Sequence, residues 1–68
     1  MKSSKAVKSI RMQLFKDRKQ FAEMVGISQQ SIIHYENSLR RPKLSIIKKM
    51  IDIAKENNIE ISPSDFFD

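Results

Sequence analysis

Asp17-Arg-Lys-Gln-Phe-Ala-Glu-Met-Val-Gly-Ile-Ser-Gln-Gln-Ser-Ile-Ile-His-Tyr-Glu-Asn37 divides into two short helices around a tight turn. Asp17 is suited to accept from the free backbone N–H groups that open a helix, and Phe21, Ala22 and Val25 then recur at the spacing of one helical face. Gly26 follows, the residue type that tolerates a positive φ and so ends helices cheaply. Ile27 plugs the turn, and Ser28 is placed to cap the next helix. Within that helix Ile32, Tyr35 and Glu36 share one face, and Gln30, Ile33, His34 and Asn37 share another. The first face packs inward. The second is presented outward, carrying polar residues where a surface helix would touch something.

Outward from this stretch the same periodicity continues. The chain has one glycine and two prolines in 68 residues, so little interrupts helical runs, and no internal repeat or low-complexity segment is present. The expected organisation is all-α: a first helix over roughly Ser4 to Phe15, with Val7, Ile10, Leu14 and either Met12 or Phe15 inward, then helices over about Arg18 to Val25 and Gln29 to Asn37. A connector from Ser38 to Leu44 leads to a fourth helix over about Ser45 to Asn57, with Ile47, Met50, Ile51 and Ala54 as its apolar stripe and Leu44 stapling its start. Ile59-Glu-Ile61 reads as a short extended piece. Ser62-Pro63 then resembles an N-cap followed by proline at the first helical position, opening one turn that ends in Phe66 and Phe67.

Composition narrows the function classes. A chain of 68 residues is expected to form one domain over 1–68, and a domain this small buries only about 60% of its unfolded surface, so its stability is modest and a dimer partner would help it. There is no cysteine, hence no disulfide framework and no thiolate metal site, and a single histidine excludes a metal site built from several histidines within one chain. No long apolar run, targeting signal, glycine-rich phosphate loop or nucleophile–base pair is legible, so a soluble cytoplasmic protein without membrane, cofactor, metal, evident small-molecule ligand or catalytic residues is expected. The net charge of +5 is unevenly spread. Residues 1–16 and 38–49 each carry five basic and no acidic side chains, whereas residues 50–68 carry one basic against five acidic. Two basic segments therefore bracket the helix with the outward polar face, which suits a polyanionic partner better than net charge alone. Basic character without any such purpose is the blander alternative.

The run Phe21 to Asn37 resembles the lambda repressor/Cro-like helix-turn-helix family, the lambdoid phage repressors most closely. The similarity extends upstream through Val7-Lys-Ser9 and Arg11-Met-Gln-Leu14, and downstream through Arg41-Pro42 and the helix after it. The resemblance implies a compact four- to five-helix, lambda-repressor-like DNA-binding domain with its helix-turn-helix at about 17–37. It further implies that helix 29–37 enters the major groove of double-stranded DNA, as a homodimer on an approximately palindromic operator. The chain departs from the family pattern at Ser38, where a glycine is usual, and at Phe15-Lys16, where a glycine often ends helix 1.

On this basis the base-reading candidates are Gln29, Gln30, Ile33 and His34. A glutamine at the start of a helix in the groove presents its amide to adenine N6 and N7, Ile33 is suited to a thymine methyl, and His34 occupies a place where related repressors often carry a polar base contact. Their alternative is an ordinary solvated face. Arg18, Ser31, Asn37, Arg40, Arg41 and Lys43 are the candidates for the DNA backbone or minor groove, with Arg41 and Lys43 favoured for the minor groove. Arg18 would sit at the first turn of helix 2, where the family usually has glutamine on a phosphate. Arg11 and Glu36 differ in kind, because in the resembling repressors a buried arginine from helix 1 meets a glutamate here, and the pair reads as structural. The function implied is that of a sequence-specific transcriptional regulator of the repressor/Cro type. The rival class is an antitoxin-like protein-interaction module that binds a partner protein, for which the acidic, phenylalanine-ended C-terminus is the available feature.

Overall fold

The computed structural model describes residues 1–67. Four α-helices follow in order, α1 Lys2–Gln13, α2 Arg18–Val25, α3 Gln29–Glu36 and α4 Leu44–Glu56, before a single 3₁₀ turn at Pro63–Phe66. Among the described residues there is no strand, and Ile59 to Ile61 form an irregular connector rather than a paired extended segment. The described residues are thus all-α, as the helical periodicity predicts.

α2 is the most locally determined element. Its Asp17 carboxylate accepts from Gln20 N–H at 2.7 Å, and Gln20 Oε1 accepts from Asp17 N–H at 3.0 Å, a reciprocal cap that satisfies two donors at once. Gly26 ends the helix at φ +83, donating to Ala22 O at 2.8 Å. α3 begins at once, with Ser28 Oγ accepting from Ser31 N–H at 3.1 Å. Asp17, Gly26 and Ser28 thus set the ends of the two helices through contacts within four residues of themselves.

One core joins all elements. Val7, Ile10, Phe21, Ala22, Val25, Ile32, Tyr35, Ile47, Met50, Ile51 and Ala54 are buried together with Ala6, Ile59 and Phe66. α3 packs against α1 and α2, α4 closes the opposite side against α2 and α1, and the 3₁₀ turn lies on α1 and α4. Ile59 is the inward residue of the connector, and Phe66, at 2% exposure, is the plug that the final turn delivers.

Three expectations fail at helix ends. α1 starts at Lys2, earlier than Ser4, and buries Ser3 and Ser4 where no apolar signal exists. Ser4 Oγ donates to Met1 O at 2.6 Å, which makes its burial tolerable, while Ser3 Oγ has no hydrogen-bond partner. At the other end α1 stops at Gln13, and neither Met12 nor Phe15 turns inward: they are 57% and 94% exposed. Phe15 lies at φ 57, so the backbone has left the helical path and carries the ring into solvent. Leu44 is the first residue of α4 and 72% exposed, so it does not staple the helix.

Ser38 has φ 60, so both positions where the resembling family places glycine adopt the left-handed conformation with a side chain in place. That conformation costs a non-glycine residue roughly 1–2 kcal/mol, partly offset by the greater unfolded-state entropy of glycine. Ser38→Gly and Phe15→Gly are each expected to stabilise the fold by about 0.5–1 kcal/mol, measured as a shift in urea midpoint. A lower midpoint for both would show that these side chains make contacts worth more than the strain.

Candidate nucleic-acid interface

α3 is held from behind by charge as well as by the core. Its buried face is formed by Ile32 and Tyr35, and the Glu36 side chain on the same side is only 2% exposed. Arg11 reaches it from α1 in a fork, Nε donating to Oε2 at 2.7 Å and one Nη to Oε1 at 3.0 Å. The other Arg11 Nη donates to Lys16 O at 3.0 Å, tying down the loop that leaves α1. Bidentate pairing of this kind fixes orientation as well as contributing energy. The hydrogen bonds from Arg11 to Glu36 raise the guanidinium above its ordinary value, burial works in the opposite direction, and the charges of Glu36 and Asp17 add to the rise. Arg11 is therefore a permanent cation inside the domain.

Glu36 also receives Arg18, whose Nε donates to Oε1 at 3.2 Å while its side chain stays 44% exposed. Helical phase and charge point to Arg18 as a phosphate ligand and give no sign of this bond. One carboxylate thus serves two arginines from two helices, leaving the cluster with net positive charge at the α2–α3 junction. Nε is the atom engaged, and a guanidinium carries further N–H donors on its two Nη groups.

The outward face of α3 displays Gln29 and Gln30, both exposed, with Ile33 and His34 half-buried further along. Gln30 Nε2 lies 2.9 Å from His34 Nε2, so these two side chains form a joined pair rather than two separate groups. Ser31 is half-buried and its hydroxyl lies 3.0 Å from Ser28 Oγ, within the cap of the helix. Asn37 is the exposed C-terminal cap residue, its N–H donating to Ile33 O at 3.0 Å.

Past α3 the connector turns back at Ser38, with Leu39 N–H donating to His34 O at 2.9 Å. Arg40, Arg41 and Lys43 follow, all exposed, while Pro42 between them is buried and anchors the loop. Lys43 stands at the start of α4, where no side chain caps the helix and no acidic residue occupies the first turn. Two further lysines border the same end of the molecule. Lys19 is exposed beside Arg18 in the first turn of α2, and Lys49 from α4 comes near the helix-turn-helix turn, its Nζ 4.0 Å from the place a Cβ on Gly26 would occupy. Lys19 was legible as a second cation on that turn, whereas Lys49 needed the packing of α4.

α3 thus carries an exposed polar start at Gln29 and Gln30, is tied to α1 and α2 through Glu36, and is followed in sequence by the exposed cations of the connector. Among the described residues no group of three or more histidine, cysteine, aspartate or glutamate side chains is arranged to hold a metal ion, and no helix is long and apolar enough to cross a membrane. Neither the curated proteins nor the solved structures show a match to the chain. The family model described as Helix-turn-helix (HTH_3) matches residues 7–55, which spans α2, the Gly26 turn and α3 together with most of α1 and α4. The chain belongs to this Cro/CI-type helix-turn-helix family of DNA-binding regulators.

Proposed function

We propose that residues 1–68 act as one sequence-specific, duplex-DNA-binding transcriptional regulator of the repressor/Cro type, working in the cytoplasm and placing α3 in the major groove as a homodimer. The observation that carries this reading is the two-sidedness of α3. Its inner face is locked to α1 through the buried Glu36 carboxylate, while Gln29 and Gln30 at its start stand exposed and exposed basic residues flank the helix-turn-helix in sequence at Arg18, Lys19, Arg40, Arg41 and Lys43. A helix built only for packing has no need of an exposed polar face held so firmly.

In this reading Gln29, Gln30, Ile33 and His34 form the base-reading face. Arg18, Asn37, Arg40, Arg41 and Lys43 surround it as contacts to the backbone or minor groove. Ser31 contributes mainly by holding the helix start with Ser28. Selection of bound sites from random duplex DNA tests the whole reading, since a reader of this kind enriches one short motif and a non-specific cation enriches none. The cationic frame is tested separately by salt: neutralising Arg18, Arg40, Arg41 or Lys43 singly is expected to reduce the steepness of log affinity against log salt by about one unit each. Unchanged slopes for all four would remove the phosphate contacts from this reading.

The dimer rests on what remains exposed late in the chain. Ile59 and Phe66 are spent in the core, so Ile46, Ile53 and Ile61, which are only partly buried, and Phe67, which is 48% exposed, are the residues left for a self-complementary patch. The operator is then an approximate palindrome with half-site centres about 10–10.5 bp apart. Titration should give two chains per full site, bound more tightly than one chain on a half-site. Equal affinity with one-to-one stoichiometry would end the dimer proposal. The antitoxin-like reading drew on the acidic, phenylalanine-ended C-terminus, of which Phe66 is buried in the core and Phe67 is exposed.

A further inference from the structure

The contact between Gln30 and His34 constrains what Gln30 can read. The two residues stand one helical turn apart, and helical side chains lean back toward the helix N-terminus, so the ring of His34 lies over the turn that carries Gln30. Their facing atoms, Gln30 Nε2 and His34 Nε2, are 2.9 Å apart. An amide nitrogen only donates. With the amide nitrogen facing it, His34 Nε2 takes the acceptor role, which belongs to the tautomer protonated at Nδ1. One of the two amide N–H groups of Gln30 is spent on the ring, leaving one N–H and the oxygen Oε1 for anything outside. Adenine matches that remainder in the major groove, since its N7 accepts and its N6 amino group donates, whereas guanine presents two acceptors, N7 and O6. A glutamine with an unrestrained amide can turn both N–H groups toward guanine. One tethered through Nε2 cannot.

We propose that His34 is a specificity-determining positioning residue, holding the Gln30 amide so that the pair reads adenine and rejects guanine at one base pair. The proposal rests on the reading of α3 as the major-groove helix. His34 need not touch a base to do this; it acts through the atom it withdraws from Gln30.

The test uses duplexes of the selected site that differ only at the base pair where Gln30→Ala loses preference, and reads the ratio of affinities for A·T over G·C there. The parent chain is expected to favour A·T by about tenfold, within the range for a good bidentate pair. His34→Ala should bring the ratio to within about threefold of unity, while thermal melting shows that the variant is folded. His34→Gln, which restores an acceptor, should keep most of the preference. In a Gln30→Ala background, His34→Ala should change nothing further. The proposal is overturned if His34→Ala leaves the ratio intact while Gln30→Ala abolishes it. It is equally overturned if His34→Ala acts at another base pair regardless of Gln30, which would make it an independent base reader. A parent chain with no preference among duplex sequences would instead remove the underlying reading of α3.

Discussion

Glu36→Ala is expected to cost about 3–5 kcal/mol of folding stability, the range for stranding one partner of a buried ion pair. The carboxylate is 2% exposed and receives Arg11 through two hydrogen bonds, so its removal leaves a guanidinium that is itself only 13% exposed with the Lys16 carbonyl as its remaining acceptor. Arg18 suffers less, because its side chain is 44% exposed and can be rehydrated. At roughly 0.05–0.15 kcal/mol per residue, a domain of this size holds only about 3–10 kcal/mol in all, so the variant should be largely unfolded at moderate temperature. Replacing Arg11 and Glu36 together by methionine and leucine should be much milder, since two well-packed apolar residues carry no desolvation cost. Urea melts of the single and double variants check this. A Glu36→Ala protein that melts with the parent would show that the fork contributes no net stability.

Phe66→Ala should be nearly as damaging, at about 3–5 kcal/mol, for a different reason. Phe66 is 2% exposed and sits where the 3₁₀ turn meets α1 and α4, so truncation removes apolar burial and opens a cavity that these two helices cannot easily collapse. Its neighbour provides the control. Phe67 is 48% exposed, and Phe67→Ala is expected to change stability by no more than about 0.5 kcal/mol in the monomer. If the two variants melted alike, the final turn would not be part of the core. That result would also return Phe66 to the surface available to a second chain.

How far the sequence revealed this arrangement depended on the range of the interaction. The bounds of α2 and the start of α3 were legible because Asp17, Gly26 and Ser28 act on backbone groups within four residues of themselves. The ends of α1 were not. Its start is carried by Ser3 and Ser4, whose burial leaves no apolar signal, and its end depends on a positive φ at Phe15 that an aromatic residue gives no reason to expect. At Leu44 the apolar character was visible, but its direction was set by where α4 begins.

The candidate interface shows the same division. The polar face of α3 and the connector cations followed from helical phase and charge. The second bond to Glu36 did not, because whether Arg18 meets it depends on how α2 crosses α3. The tether between Gln30 and His34 lay at a spacing of one helical turn, so its possibility was open to a reader of the sequence. Its direction, nitrogen to nitrogen, belongs to the structure.

The central claim is that α3 reads base sequence, and its most direct test compares two affinities at one fixed salt concentration: that for the selected site and that for an unrelated duplex of equal length. For the parent chain the ratio should be large, on the order of 10³ or more. Gln30→Ala should reduce it by about 1–3 kcal/mol while leaving affinity for the unrelated duplex almost unchanged. A parent ratio near one, or a Gln30→Ala variant that weakens both duplexes equally, would contradict the account.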